Sequence, residues 1–243
     1  MNRYKDKVCL VTASTQGIGF AIAKRMAEEG AFVYICSRKE KNVKEALDKL
    51  KGLKVEGYPC HIGLKEQRLA LLKKIEEKHG RLDVLVCNQA ASTHFGSQMD
   101  ISEGSFDKMW DLNVKSIFYL IKESKELLKK GGKQSNVLVV SSVGGKGPNY
   151  TIGVYNMTKA ALDNMVVWLA QELIPDDIRL NAISPGLIKT EFSGPLWKDN
   201  QGVPAKSLGE SDQIASVAAT MCSDDGSFVN GENYAVHGGF PKL

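Results

Sequence analysis

The feature of this chain that most constrains its fold is an alternation between short apolar runs and longer segments with helical periodicity. Seven short runs rich in β-branched residues recur along the 243 residues. No Pro/Ser-rich linker and no repeat of roughly 20–50 residues interrupts them. Strands joined by helices pair in parallel through right-handed crossovers. The pattern therefore predicts an α/β fold, a single domain over residues 1–243 with one doubly wound sheet of seven parallel strands.

The positions of the predicted strands and helices follow from these runs. Most of the strands are apolar enough to be covered on both faces, as parallel sheets require. We expect strands at Lys7–Thr12, Phe32–Ser37, Val55–Pro59, Val84–Asn88, Asn136–Ser141, Arg179–Ser184 and Glu232–Val236. We expect helices near Gly17–Glu29, Lys41–Lys51, Lys65–His79, Ser102–Lys130, Val154–Leu173 and Glu210–Met221.

Composition excludes several classes of protein. The 32 basic and 28 acidic side chains leave a formal charge of only +4, so no nucleic-acid partner is expected. No stretch of about 18 uncharged apolar residues occurs, so we expect no membrane span. The five cysteines are far apart and form no CxxC pair or Cys/His cluster. We therefore expect buried thiols, a reducing compartment and no metal site.

A glycine-containing turn follows the first predicted strand. Residues Thr12-Ala13-Ser14-Thr15-Gln16-Gly17-Ile18-Gly19 lead directly into a predicted helix. Gly17 and Gly19 let the backbone approach a pyrophosphate at the free N–H groups of the helix N-terminus. A plain tight turn is the alternative interpretation. We predict that Ala13, Thr15, Gly17, Ile18 and Gly19 contact a dinucleotide.

The end of the second strand predicts which dinucleotide binds. An NAD-binding fold would place an acidic residue here, against the ribose hydroxyls. This chain instead has Ser37-Arg38-Lys39. A guanidinium offers a planar fork of donors to a 2′-phosphate. These three residues therefore favour NADP(H) over NAD(H).

Three polar residues are candidates for proton-transfer chemistry. Tyr155 and Lys159 are four residues apart on a predicted helix and so share one face. An ammonium group beside a phenol favours the phenolate, and we expect it to lower the pKa of Tyr155 toward neutrality. Ser142 follows the fifth strand, at the carboxyl edge where ligands of parallel sheets bind. These residues predict proton exchange with a substrate held in that crevice.

These motifs resemble those of the short-chain dehydrogenase/reductase family, and the resemblance covers Lys7 to Gly239. The turn is similar to the family's TGxxxGxG pattern, and Ser142, Tyr155 and Lys159 match its catalytic residues. The resemblance implies a Rossmann domain in which Tyr155 donates the proton, Ser142 binds the substrate oxygen and Lys159 also holds the nicotinamide ribose. It further implies that Asn113 orders a water beside Lys159. The remaining cofactor contacts implied are Ile62, Asn88, Ile188 and Thr190.

The chain departs from the family pattern at four places. Ala13 stands where the family has its first glycine, and His61 where it usually has an Asp near the adenine. In Cys87-Asn88-Gln89-Ala90, which matches the family's Asn-Asn-Ala-Gly, Gln89 is an unusual, bulkier residue that we expect beside the cofactor path. The segment resembling the substrate loop, about residues 187–210, is shorter than is usual in the family.

The resulting hypothesis is an NADPH-dependent carbonyl reductase, and two alternatives stay open. Within the family the chain most resembles the branch of peroxisomal carbonyl reductases and NADP-retinol dehydrogenases, through Thr12–Thr15, Ser37–Lys39, Cys60–Gly63 and Asn88–Ala91. That branch implies ketones, dicarbonyls, quinones or retinal as substrates. The alternatives are a 3-oxoacyl-carrier reductase and a non-catalytic NADP-binding scaffold.

Assembly and location are further expectations. The family's subunits pair through helices matching Ser102–Lys130 and Val154–Leu173, so the resemblance implies a homotetramer. The chain ends in Pro241-Lys242-Leu243, which differs from the peroxisomal Ser-Lys-Leu signal only at its first residue. A peroxisomal and a cytoplasmic location both stay open.

Overall fold

One parallel sheet organises the molecule. The computed structural model describes residues 2–133, 135–147, 149–198 and 208–239. The sheet has the order β3-β2-β1-β4-β5-β6-β7, and each neighbouring pair is parallel. The predicted fold class is therefore confirmed. The strands are β1 (Val8–Val11), β2 (Phe32–Ser37), β3 (Val55–Pro59), β4 (Val84–Cys87), β5 (Ser135–Val140), β6 (Ile178–Pro185) and β7 (Asn233–Val236).

Helices connect successive strands in the predicted order, with one additional short helix after β6. They are α1 (Gly17–Glu28), α2 (Glu40–Lys49), α3 (Lys65–His79), α4 (Glu103–Trp110), α5 (Ser116–Gly131), α6 (Gly153–Leu173), α7 (Gly194–Trp197) and α8 (Ser211–Cys222). The single predicted helix Ser102–Lys130 is confirmed as one continuous helical stretch from α4 to α5, in which a π-helical segment at Asp111–Lys115 interrupts the regular α turns. Such segments break the regular turn of a helix and recur at functional sites.

The core lies on both faces of the sheet. On one face, α3, α5 and α6 contribute buried leucines and isoleucines such as Leu72, Ile117 and Leu162. On the other face, α1, α2 and α8 contribute smaller residues such as Ala23, Ala46 and Ala218. All five cysteines are buried thiols within these layers. The sheet is thus covered on both faces, as its apolar strands require.

The strand order places an opening at one edge of the sheet. The chain runs from β1 outward to β2 and β3, then returns to β4 on the other side of β1. Connections that leave in opposite directions open a crevice at the carboxyl ends of β1 and β4. Within the described ranges, no helix is long and apolar enough to cross a membrane. Residues 199–207 of the predicted substrate loop and Pro241–Leu243 lie outside the described residues.

Candidate active site

A cleft of about 1010 Å³ lies over the carboxyl ends of the central strands. The loops after β1, β2, β4, β5 and β6 all contribute to its walls. All but three of the residues predicted from the sequence line it. Those that line it are Ala13, Thr15, Gly17, Ile18, Ser37, Arg38, Ile62, Asn88, Ser142, Tyr155, Lys159, Ile188 and Thr190. Gly19, Lys39 and Asn113 do not.

The turn after β1 has an unusual backbone at Ala13. Its φ is +49°, in the left-handed region that alanine rarely adopts. That conformation costs a residue with a Cβ about 1–2 kcal/mol. Gly17 also has positive φ, +58°, and adopts it without that cost. Ala13, which stands where the family has a glycine, is therefore a strained residue in the turn.

Gly19 has a packing function that the sequence did not indicate. A Cβ at this position would overlap Asn88 Nδ2 and would lie 2.8 Å from the Ala13 carbonyl oxygen. Asn88 Nδ2 donates to the carbonyl oxygens of Thr12, at 3.2 Å, and of Ala13, at 3.0 Å. The small residue thus lets Asn88 hold the turn, and it lies behind the cleft wall.

The N-terminus of α1 fits the pyrophosphate of a dinucleotide. The preceding residue, Gln16, provides no side-chain cap, and the first turn has no acidic residue. No described side chain accepts from the first N–H groups of the helix, which point toward the cleft with the positive end of the helix dipole. Gly17 keeps this approach open, because a side chain there would contact Thr190 Cγ2 at 3.2 Å.

The end of β2 presents a free cation to the same cleft. Arg38 is exposed and makes no ion pair with a described residue. Glu40, the nearest acidic residue along the chain, pairs with Lys44 at 2.9 Å. Lys39, which precedes α2, does not line the cleft, whereas Asn42 does. Asn42 was missed, although its place one helical turn after Arg38 could have indicated it.

Ser142, Tyr155 and Lys159 meet where β5 ends and α6 begins. The Ser142 and Tyr155 side chains both line the cleft, and the Ser142 hydroxyl accepts a hydrogen bond from Gly144 N at 3.1 Å. Lys159 is 1% exposed. Its Nζ donates to the Val140 carbonyl oxygen at 2.9 Å and lies 5.5 Å from the centre of the Tyr155 ring. The three predicted residues therefore form one cluster.

The pKa values in this cluster differ from the expectation. Burial raises the pKa of Tyr155 to about 12, and the neighbouring Ser142 side chain opposes this only in part. Burial also lowers the pKa of Lys159 to about 8, although Asp163 opposes this shift. The predicted lowering of the Tyr155 pKa is wrong, because the loss of solvent outweighs an ammonium that is directed at Val140. Tyr155 therefore holds its proton at neutral pH.

Asn113 lies behind the cleft and joins two of its walls. Its side chain is fully buried in the π segment. Oδ1 accepts from Ala91 N at 2.7 Å, while Nδ2 donates to Ala91 O at 2.9 Å and to Thr158 Oγ1 at 3.0 Å. Asn113 thus fixes the loop after β4 to α6, the helix that carries Tyr155. Its role in ordering a water stays a prediction.

Two residues that depart from the family pattern, Gln89 and His61, both line the cleft. Gln89 is 2% exposed, and its amide makes hydrogen bonds inside the protein. The expectation that Gln89 lies beside the cleft is confirmed, although its polar end turns inward. His61 lines the cleft, and its Nδ1 accepts from Gly63 N at 3.1 Å.

An apolar wall lies beside Tyr155. The Phe192 ring centre is 6.1 Å from that of Tyr155, and Ile152 and Leu196 pack in the same cluster. Phe95 also lines the cleft. None of these residues was predicted, because single apolar residues in loops carry no periodic signal. They form an apolar surface beside the Tyr155 side chain.

The segment after β6 forms another wall of the cleft. Ile188 and Thr190 line the cleft as predicted. Thr190 Oγ1 lies 3.0 Å from Ser193 Oγ, and Ser193 Oγ also donates to the Ile188 carbonyl oxygen. Lys189 N donates to Gly209 O at 2.8 Å, which joins the two described ends of the predicted substrate loop.

The fold and the cluster together define an oxidoreductase with a nicotinamide site, acting on carbonyl or CH–OH groups. Comparison with known proteins agrees. The family model described as "Enoyl-(Acyl carrier protein) reductase" matches residues 12–241. The chain belongs to the short-chain dehydrogenase/reductase family.

Named relatives support this assignment over nearly the whole chain. It is 42% identical over 247 residues to Dehydrogenase/reductase SDR family member 4 of Homo sapiens, covering 98% of this chain and 88% of that protein. It is 40% identical over 249 residues to Tropinone reductase-like 3 of Erythroxylum coca, covering 99% and 95%. A solved 3-ketoacyl-(acyl-carrier-protein) reductase from Brucella melitensis, complexed with NADH, has a TM-score of 0.90 at 26% identity and covers 97% of this chain and 98% of its own.

Proposed function

We propose that this protein is an NADPH-dependent carbonyl reductase. The observation that carries the proposal is the placement of Ser142, a protonated Tyr155 and Lys159 together at the wall of one cleft. The named relative Dehydrogenase/reductase SDR family member 4 supports it through similarity over nearly the full chain. Reduction of a ketone or aldehyde needs a proton donor placed at the carbonyl oxygen.

Different residues of the chain have different roles in this reaction. Bound reduced nicotinamide supplies the hydride for the carbonyl carbon. Tyr155 donates its proton to the oxygen as negative charge develops there, and Ser142 donates a hydrogen bond to the same oxygen. Lys159, beside the Tyr155 ring, stabilises the phenolate that remains.

The preference for NADPH rests on the charge at the end of β2. Arg38 lines the cleft and is free to pair with a 2′-phosphate, and no carboxylate among the described residues pairs with it at this strand end. We expect Arg38→Asp to lose or reverse the preference, because each charge-assisted hydrogen bond contributes about 1.5–3 kcal/mol. Lys41→Asp is the matched control, since Lys41 is exposed, lies outside the cleft and changes the charge equally.

The test compares kcat/KM for NADPH and NADH in the wild type and both variants. The wild type and Lys41→Asp should prefer NADPH by at least about tenfold, the effect of one such hydrogen bond, and Arg38→Asp should not. Equal efficiency with the two cofactors in the wild type would refute the NADP assignment.

The apolar wall supports bulky, apolar carbonyl substrates. Phe95, Ile152, Phe192 and Leu196 would contact a dicarbonyl, a quinone or a retinal-like chain. The alternative of a 3-oxoacyl-carrier reductase is motivated by the fold shared with the Brucella protein. Kinetics with free ketones and with 3-oxoacyl thioesters separates the two, because a carrier-dependent reductase should strongly prefer the thioester.

We also propose that the protein forms a homotetramer. α6 carries three apolar residues with about half of their surface exposed, Met157 (52%), Val167 (51%) and Trp168 (43%). On α5, Tyr119 is exposed to a similar extent, and its neighbour Phe118 contacts the Trp168 ring at 6.4 Å between centres. Adjacent exposed apolar side chains on two long helices favour contact with another copy of the chain.

A further inference from the structure

The unusual residue Gln89 joins the turn after β1 to the start of α5. Its Oε1 accepts a hydrogen bond from Thr12 Oγ1 at 2.5 Å. Its Nε2 donates to Ser116 Oγ at 3.1 Å. Both contacts are buried, where a hydrogen bond meets little competition from water. One side chain therefore connects two elements that border the cleft.

The Thr12 end of this bridge reaches the strained part of the turn. Thr12 directly precedes Ala13, whose left-handed backbone has an intrinsic cost. The Thr12 hydroxyl also accepts from Asn88 N at 3.0 Å. Asn88 and Gln89 thus hold neighbouring groups of the same turn, Asn88 through backbone carbonyl oxygens and Gln89 through a side-chain hydroxyl.

The other partner of Gln89, Ser116, is also fixed by further contacts. Ser116 is the first residue of α5 and follows the π segment that carries Asn113. Its Oγ donates to the Leu112 carbonyl oxygen at 2.6 Å, and Leu112 lines the cleft. The bridge therefore rests on a helix whose position is already fixed by Asn113.

We propose that Gln89 is a positioning residue that holds the turn at Thr12–Gly17 in the conformation that receives the pyrophosphate. Its hydrogen bond to Thr12 offsets the tendency of Ala13 to leave the left-handed region. A glycine in place of Ala13 needs no such support, because it adopts positive φ freely. The inference rests on the proposed function, in that a dinucleotide binds in this cleft.

A double-mutant cycle on dinucleotide affinity tests the proposal. The probe is NADPH, and its Kd is measured by fluorescence titration for the wild type, Gln89→Met, Ala13→Gly and the double variant. Methionine keeps the length of the side chain and loses both hydrogen bonds. Gln89→Met should raise the Kd about threefold to tenfold, the effect of losing one hydrogen bond. In the Ala13→Gly background, the same change should raise it less than about twofold.

If the effects of the Gln89 and Ala13 changes on the NADPH Kd depend on each other, Gln89 positions the turn and does not merely pack in the core. Equal losses in the two backgrounds, or an unchanged Kd in Gln89→Met, would overturn the proposal. A wild type that binds no NADPH would instead refute the proposed function. Turnover at saturating cofactor should stay within about twofold of wild type in Gln89→Met, since the reacting groups are untouched.

A second variant covers the case in which Gln89→Met does not fold. Ser116→Ala removes only the far partner of Gln89 and leaves Thr12 unchanged. It should raise the NADPH Kd at least about twofold when Ala13 is present and leave the Kd unchanged in the Ala13→Gly background. An unchanged Kd in Ser116→Ala alone would contradict the role of the bridge.

Discussion

Lys159 is the residue whose burial has the largest electrostatic consequence. Its folded-state pKa is about 8 against 10.5 in an unfolded chain. A base whose pKa is lowered by folding destabilises the native state while it is charged, and this cost disappears as pH rises from about 8 to about 10.5. At neutral pH the difference between the two pKa values corresponds to about 3 kcal/mol. The protein bears this cost to keep a cation beside Tyr155.

The first prediction is therefore a pH dependence of stability that Lys159→Met abolishes. Between about pH 7.5 and about pH 9.5, the unfolding free energy of the wild type should rise relative to the variant by about 2 kcal/mol. Urea unfolding of the two proteins at both pH values measures this. Parallel changes in the two proteins would contradict the lowered pKa.

A second prediction concerns Ala13. Ala13→Gly should stabilise the protein by about 0.5–1 kcal/mol, because relief of the left-handed strain exceeds the entropy that a glycine loses on folding. For a chain of this size, the melting temperature should rise by about 1–4 °C. Ala70→Gly on exposed α3 is the control, and it should cost about 1 kcal/mol. Destabilisation by both changes would show that the turn is not strained.

At the scale of elements, the π segment between α4 and α5 turns Asn113 away from solvent and toward two neighbouring elements. The three hydrogen bonds of Asn113 connect the loop after β4 to α6. In a regular helix, an asparagine usually turns to solvent or competes for backbone hydrogen bonds. Here the side-chain amide of Asn113 instead forms hydrogen bonds with the backbone N–H and the carbonyl oxygen of Ala91.

The prediction for this element is a linked loss of stability and activity in Asn113→Ala. The change leaves the N–H and carbonyl of Ala91 without their partners, at about 1–3 kcal/mol for each. The melting temperature and kcat should both fall, since α6 loses its connection to the loop after β4. Lys108→Ala on the exposed side of α4 should change neither. A normal melting temperature in Asn113→Ala would show that the π segment is held by other contacts.

The sequence predicted the strands and helices more accurately than the contacts between side chains. Periodicity and the position of strand ends placed Arg38, Ser142 and Tyr155 on the cleft, because strand order in a doubly wound sheet fixes where carboxyl ends meet. The inward turn of the Gln89 amide and the hydrogen bonds of Asn113 in the π segment depend on partners distant in sequence. The high pKa of Tyr155 depends on burial by the surrounding loops. Local pattern carries none of this information.

At the scale of the whole molecule, the exposed apolar residues of α5 and α6 lead to a prediction about mass. Light scattering should give the mass of four 26.6 kDa chains. Trp168→Glu places a charge on the proposed contact surface and should lower the observed mass, while Lys122→Glu, an exposed change on α5, should not. A wild-type mass equal to one chain would reject the assembly.

The central claim is that the cleft reduces carbonyl compounds with NADPH through the proton of Tyr155. The most direct measurement follows the loss of reduced-nicotinamide absorbance with a panel of ketones, dicarbonyls, quinones and retinal, for the wild type and Tyr155→Phe. The wild type should consume NADPH with at least one of these substrates. Tyr155→Phe should bind NADPH with similar affinity and lose about 10²–10⁴-fold in turnover, since only the transferable proton is removed. Near-normal turnover in Tyr155→Phe, or no turnover of any carbonyl by the wild type, would contradict the account.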